Sequence, residues 1–320
     1  MTSTKTATAP QRRSQPSMTS TNTVTAPRRR SHPASPFAHW WWAFPGIALA
    51  VIVHYIATAA GGFFSLTDWS GLGDFDFIGF ANYVRIFNDP TQVGAIRNTV
   101  VLALGILVIT QLIGLGLALG LNRGLKSRYV LRVLFFIPTV LSPLAVAYVW
   151  KFIFDYTGPL NGLLAWMGFE DLVRPWLADP NLALFMVLIV ICWQGTGITM
   201  VIYLAGLASV APETEEAAAI DGAGVFARFW HVVLPSLRPA LAISTTLTII
   251  SGLRTFDEIM ALTGGGPAGT TETLATAVYK QSFALGQFGY GAALALVMTL
   301  IILVFAIVQQ RITNGDGKES

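Results

Sequence analysis

Glu216-Ala217-Ala218-Ala219-Ile220-Asp221-Gly222, followed after nine residues by Val232-Val233-Leu234-Pro235, lies between two apolar stretches, 182–207 and 239–262. Each stretch is long enough to cross a bilayer, which takes about 20 mostly apolar residues. Pro212 suits a first helical turn, where its missing N–H has no partner to lose. Glu213, Glu215 and Glu216 sit where the helix dipole favours negative charge. Ala217, Ala218 and Ala219 are strong helix formers with small side chains, and Gly222 permits the sharp turn that ends a short helix. Beyond it Val225, Phe226, Phe229, Val232 and Val233 repeat at helical spacing. A second helix is therefore expected to lie flat under the membrane until Pro235 and Pro239 break it. Two readings fit these residues: a docking surface for something outside the membrane, and an ordinary amphipathic loop helix.

Composition supports the membrane setting of this loop. Hydrophobic residues make up 53% of 320 positions and charged residues 12%, about half the charge of an ordinary soluble protein. Mean hydropathy is +0.60. Six candidate spans follow: 44–66, 98–121, 133–154, 182–207, 239–262 and 291–309. Pro138 and Pro143 fall inside the third, where neighbouring helices or water can satisfy the freed backbone groups. Trp40, Trp41 and Trp42 precede the first and suit the water interface. Basic residues gather at the N-terminus, after the second span (Arg123, Lys126, Arg128, Arg132), after the fourth (Arg228, Arg238) and in the tail (Arg311, Lys318). The positive-inside rule then predicts both termini and the opening loop on the cytoplasmic side. Arg28-Arg29-Arg30 ahead of an apolar run, with Ala57-Thr58-Ala59 beyond, also has the form of a secretory signal. The run is long for a signal and five more spans follow, so a retained span is expected.

Residues 1–36 form a Ser/Thr/Pro/Arg-rich tail too poor in apolar residues to fold alone. The tail carries an internal duplication, Met1-Thr-Ser-Thr recurring as Met18-Thr-Ser-Thr; a disordered tail with no specific role is expected, with Met18 as a second candidate start. One six-span domain, 37–312, with its cytoplasmic loop at 208–238, then leads to a short polar tail, 313–320. The loops 67–97, 155–181 and 263–290 fall on the outer side, and none is long enough for a soluble domain.

Chemistry of its own is not expected of this chain. Cys192 is the only cysteine and lies in an apolar run, and His32, His39, His54 and His231 form no ligand spacing. The net charge of +3 resides largely in the ends and loops, so nucleic acid is not an expected partner. Gly264, Gly269, Thr270 and Thr271 come near a phosphate-binding loop, but its lysine is absent. Charged groups within or near the membrane are functional candidates because burying them is costly. Arg254, Asp257 and Glu258 fall in the outer part of the fifth span, where Arg254 and Asp257, three apart, can pair on one helix face or line a watery cavity. In the fourth span Trp193, Gln194, Thr196, Thr199 and Tyr203 put amide, hydroxyl and aromatic groups near mid-membrane, a set suited to a sugar. Ser251 and Phe256 extend it. Helix–helix packing explains the small residues equally well.

The fixed positions Glu216, Ala217, Ala218, Gly222, Val232, Leu234 and Pro235 resemble the cytoplasmic signature of ABC importer permeases. Phe77-Ile-Gly-Phe-Ala-Asn-Tyr83, Phe135-Phe-Ile-Pro138 through Val149-Trp150-Lys151, and Gly158-Pro-Leu-Asn161 resemble further segments of the same family. Phe256-Asp257-Glu258-Ile259, Leu262-Thr-Gly-Gly-Gly-Pro267 and Thr271-Glu-Thr273 are similar to sugar permeases of the maltose and glycerol-phosphate type. The resemblance covers residues from about 40 to 310 and implies an all-helical, six-span, type I importer permease in a bacterial plasma membrane. It implies no cofactor in this chain. ATP and Mg²⁺ would be bound by an ATPase dimer on the cytoplasmic face. A second homologous permease and an external solute-binding protein would complete the assembly among membrane lipid. Glu216, Ala217, Ala218, Asp221, Gly222, Ala223, Leu234 and Pro235 would couple to the ATPase. The sugar would pass Trp193, Gln194, Thr196, Thr199, Tyr203, Ser251, Arg254, Phe256 and Asp257. An ion-coupled carrier of a small polar solute is the alternative; it would need more carboxylates within the membrane and usually internal repeats.

Overall fold

The computed structural model describes residues 43–122 and 126–315, and among them the only extended pairing is an isolated antiparallel bridge, Thr67–Phe77. The 1–36 tail, Trp40–Trp42, Arg123 and the residues after 315 lie outside the described residues. Two compact units divide the chain, 1–53 and 54–320; of the first, the described residues are 43–53, which include the start of helix α1, Phe44–Phe64.

Among the described residues four helices are long and apolar enough to span: α1, α3 (Pro90–Leu121), α7 (Ala183–Leu207) and α13, which runs from Phe288 and spans to Arg311. Two bent pairs bring the number to as many as six: α4 (Arg128–Val140) with α5 (Pro143–Ile153), and α9 (Val225–Ser236) with α10 (Arg238–Leu253). Shorter helices are α2 (Ala81–Asn88), α6 (Pro159–Trp166), α8 (Pro212–Ile220), α11 (Asp257–Leu262) and α12 (Leu274–Tyr279).

Two spans differ from the sequence expectation. The third is not one rod. It turns through 98° at Leu141-Ser142, because Pro143 cannot donate to the preceding turn and instead opens a new helix at its first position. Pro138, by contrast, stays inside α4 and is buried. The fifth ends at Leu253 rather than Leu262: Arg254 is its C-cap, and Asp257–Leu262 restarts as a separate helix packed on α5.

Close helix contacts rest on missing side chains. A Cβ on Gly197 would meet Thr139 Oγ1 at 2.5 Å and the Phe135 carbonyl at 2.7 Å, so α7 and α4 approach backbone to backbone. Two residues along α7, Thr199 packs on Gly114 of α3, where its Cγ2 would lie 2.6 Å from an added Cβ. The buried cluster Leu102, Ile106, Val146, Val187, Val190, Ile191 and Ile259 ties α3, α5, α7 and α11 together. A second, with Ala118, Leu121, Met200, Tyr203, Leu207, Val233 and Leu237, fixes α9 to the ends of α3 and α7.

The outer loops are held by buried amides. Asn82 donates to the Ser65 and Thr67 carbonyls, and the Tyr83 and Ser65 hydroxyls bond at 2.7 Å. Asn161 donates to the Tyr156 and Arg174 carbonyls and accepts from Trp176 Nε1 at 2.8 Å. Asn98 donates to the Thr270 and Glu272 carbonyls. Buried Glu272 pairs with Lys280 at 2.5 Å, the only ion pair between described residues. The motifs Phe77–Tyr83, Gly158–Asn161 and Thr271–Thr273 thus have local structural work to do.

Candidate functional site: the cytoplasmic loop and the cavity

Helix α8 begins at Pro212 with Glu213 and Glu215 in its first turn, and none of its residues is buried. Its end is a Schellman turn. Gly222 N–H donates to the Ala219 carbonyl at 3.1 Å and Ala223 N–H to the Ala218 carbonyl at 2.9 Å, with Gly222 at φ +84°. An added Cβ at Gly222 would meet nothing within 4 Å, so glycine is required here by the backbone and not by space. Ala223 is half-buried, while Glu216, Ala217 and Asp221 are exposed. Ile220, Phe226 and Trp230 are 86%, 82% and 60% exposed, an unusual apolar offering beside three glutamates.

Helix α9 buries Val233 and half-buries Phe229, Val232 and Leu234, leaving Val225, Phe226 and Trp230 outward. Pro235 does not break it. A π-helical stretch, Phe229–Val233, precedes the proline, and this wider turn accommodates a residue that lacks an N–H. The bend of 68° comes two residues later, at Leu237, whose N–H still reaches the Val233 carbonyl. Helix α10 then leaves directly for the cavity.

That cavity, about 350 Å³, is lined by residues of α3, α4, α7, α10 and α11. Its polar lining comprises Thr110, Thr139, Gln194, Thr199, Ser244, Thr248, Ser251 and Glu258, with Ile106, Ile191, Ile198, Ile202 and Leu247 between them. Gln194 is 8% exposed; its Nε2 donates to the Leu141 carbonyl at 2.9 Å, and its Oε1 is buried without a hydrogen-bond partner. Such an atom is costly unless something supplies a donor. Beside the cavity, Gln111 Oε1 accepts from the Tyr203 hydroxyl at 2.5 Å and from Ser244 at 3.0 Å, and its Nε2 donates to Thr248 at 3.1 Å. This network joins α3, α7 and α10.

The sequence-derived set divides accordingly. Gln194, Thr199 and Ser251 line the cavity. Trp193 and Thr196 face a separate apolar groove of about 530 Å³ with Ile109, Leu134, Phe135 and Phe185, because one or two residues along a helix rotate a side chain away. Tyr203 is buried in the Gln111 network. Phe256 lies against Tyr279, ring centroids 5.4 Å apart. Arg254 and Asp257 are exposed and form no ion pair with each other; the break at 254–256 removes the common helix face that their spacing assumed. Glu258, one residue on, is the carboxylate that reaches the cavity. Thr110, Thr139, Ser244 and Thr248 escaped the sequence reading, although Thr110-Gln111 is the one polar pair between the apolar runs 100–109 and 112–121.

The family described as "Binding-protein-dependent transport system inner membrane component" matches residues 111–315. Multiple sugar-binding transport system permease protein MsmF of Streptococcus mutans is 36% identical over 279 residues, 86% of this chain and 96% of that protein. Trehalose/maltose transport system permease protein MalF of Thermococcus litoralis is 32% identical over 268 residues, 82% and 90% of the two chains. In fold, a chain from the crystal structure of a bacterial ABC transporter that imports the acidic polysaccharide alginate superposes with a TM-score of 0.76 at 21% identity, covering 87% of this chain and 97% of that one. The chain belongs to the binding-protein-dependent transport system inner membrane components, and is a multi-pass, all-helical permease subunit with the type I ABC importer fold.

Proposed function

We propose that the chain is the transmembrane subunit of an ATP-driven importer, taking a di- or oligosaccharide from an external binding protein into the cytoplasm by alternating access. One observation carries the reading: the exposed α8–α9 elbow is continuous, through a single bend at Leu237, with the helix that supplies Ser244, Thr248 and Ser251 to the cavity. A partner that moves the elbow therefore moves one wall of the cavity. Sugar-permease relatives and a lining of amide, hydroxyl and carboxylate groups support a sugar as the cargo.

In this reading Glu216 to Ala223, with Leu234 and Pro235, form the face seated in a cytoplasmic ATPase dimer. Glu216 and Asp221 make polar contacts there, and Ile220, Phe226 and Trp230 bury apolar surface. ATP and Mg²⁺ belong to the ATPase, and this chain holds no cofactor of its own. A second permease subunit closes the pathway, and both termini lie in the cytoplasm of a bacterial cell whose plasma membrane the chain spans. Gln194, Thr199 and Ser251 contact the sugar in passage, and Arg254, Phe256 and Asp257 stand at its outer end. Purification of the tagged chain from its native membrane tests the assembly. An ATP-hydrolysing subunit is expected to co-purify, and to be lost when Ile220 and Phe226 are both changed to Asp.

A further inference from the structure

The cavity is one-sided in charge. The hydroxyl protons of Thr110, Thr139 and Ser244 are committed to the Ile106 carbonyl, the Gln194 carbonyl and Gln111 Oε1, at 2.7, 2.8 and 3.0 Å. The amide of Gln194 donates to the Leu141 carbonyl and its Oε1 is buried without a partner, whereas Thr248, which accepts from Gln111, and Ser251 keep hydroxyl protons to offer a ligand. Glu258 adds a carboxylate, which only accepts when ionised. No Lys, Arg or His is among the lining residues. Lys151 donates to the Ala261 carbonyl beside a different, outer pocket, and Arg254 is exposed at the end of α10. Sugar hydroxyls thus find both donors and acceptors, while one carboxylate with no cation among the lining residues attracts a positive group and repels a second negative charge.

We propose that Glu258 sets the charge selection of this pathway: the cavity admits neutral and amine-bearing sugars and rejects uronates and sugar phosphates. This rests on the reading that sugar passes through the cavity, and the test separates the two. The complete complex, with its second permease and ATPase, is placed in lipid nanodiscs at pH 6.5. Binding of glucose, glucosamine and glucuronate, three pyranoses that differ in charge, is read by saturation-transfer NMR. In the wild type, glucuronate should bind about tenfold or more weakly than glucose, and glucosamine at least as well as glucose. Glu258→Gln should bring glucuronate within about threefold of glucose, and Glu258→Asp, which keeps the charge, should restore the rejection. Ser251→Trp, which fills the cavity, should remove all three signals. If Glu258→Gln still rejects glucuronate while Ser251→Trp abolishes glucose binding, the charge selection is overturned and the pathway stands. If glucose fails to bind, or binds equally well to Ser251→Trp, the cavity is not the sugar path and the inference falls with it.

Discussion

Gly222 offers the cleanest perturbation of the loop, because its backbone and its surroundings make separate demands. Its φ of +84° closes the Schellman turn through two hydrogen bonds, whereas a Cβ there would touch nothing within 4 Å. A substitution therefore adds no clash within this chain, and its cost is the left-handed backbone alone. That cost is roughly 1–2 kcal/mol for an L-residue, less for Asn, whose short polar side chain tolerates the region, and most for a β-branched residue. Since 1.4 kcal/mol is a factor of ten in a population, Gly222→Val should lower sugar-stimulated ATPase activity and uptake about tenfold or more. Gly222→Ala should lower them roughly three- to tenfold, and Gly222→Asn less than about threefold. Because α8 buries no residue, all three variants should reach the membrane at wild-type levels and melt at the wild-type temperature. The assay is uptake and ATPase activity in reconstituted vesicles, normalised to inserted protein. Wild-type transport by Gly222→Val, or an equal loss in all three variants, would refute a requirement for the left-handed turn.

Two other perturbations probe the frame around the cavity. Gln111→Leu strands the buried donor of Tyr203 and the hydroxyl of Ser244 and should destabilise the bundle by about 1–3 kcal/mol, read as a lower thermal midpoint in detergent; Tyr203→Phe, which removes a donor along with its need, should cost less. Gly197→Ala drives a methyl into Thr139 and the Phe135 carbonyl and should cost roughly 1–3 kcal/mol, while Gly116→Ala, with nothing within 4 Å, should stay within about 0.5 kcal/mol of wild type by the same measurement.

Apolar length located the membrane segments, because spanning a bilayer imposes one simple requirement on composition. The Glu216–Gly222 helix was legible because a proline start, early acids, alanines and a closing glycine all fall between Pro212 and Gly222. Where segments meet, local signals were insufficient. Ser142-Pro143 reads equally well as a tolerated kink and as a new helix start, and the difference lies in how α5 packs on α7 and α11. The stop at Leu253 carries no proline or glycine at 254–256, so hydropathy ran through it and placed Arg254 and Asp257 on a common face that does not exist. Within the fourth span, the helical period alone separates Gln194 and Thr199 from Trp193 and Thr196. Which of those faces meets the cavity, and whether Asp257 or Glu258 reaches it, depends on the rotation of neighbouring helices.

In the proposed mechanism, energy from an ATPase, delivered at the α8–α9 elbow, opens the cavity to the cytoplasm. The most direct measurement is uptake of labelled sugar into proteoliposomes containing the purified complex. External binding protein is supplied, and ATP is enclosed or withheld while the membrane potential and proton gradient are collapsed. The account predicts uptake that needs both enclosed ATP and binding protein, persists without ion gradients and is lost in Gly222→Val. Uptake that continues without ATP and follows an imposed ion gradient would contradict it and identify an ion-coupled carrier.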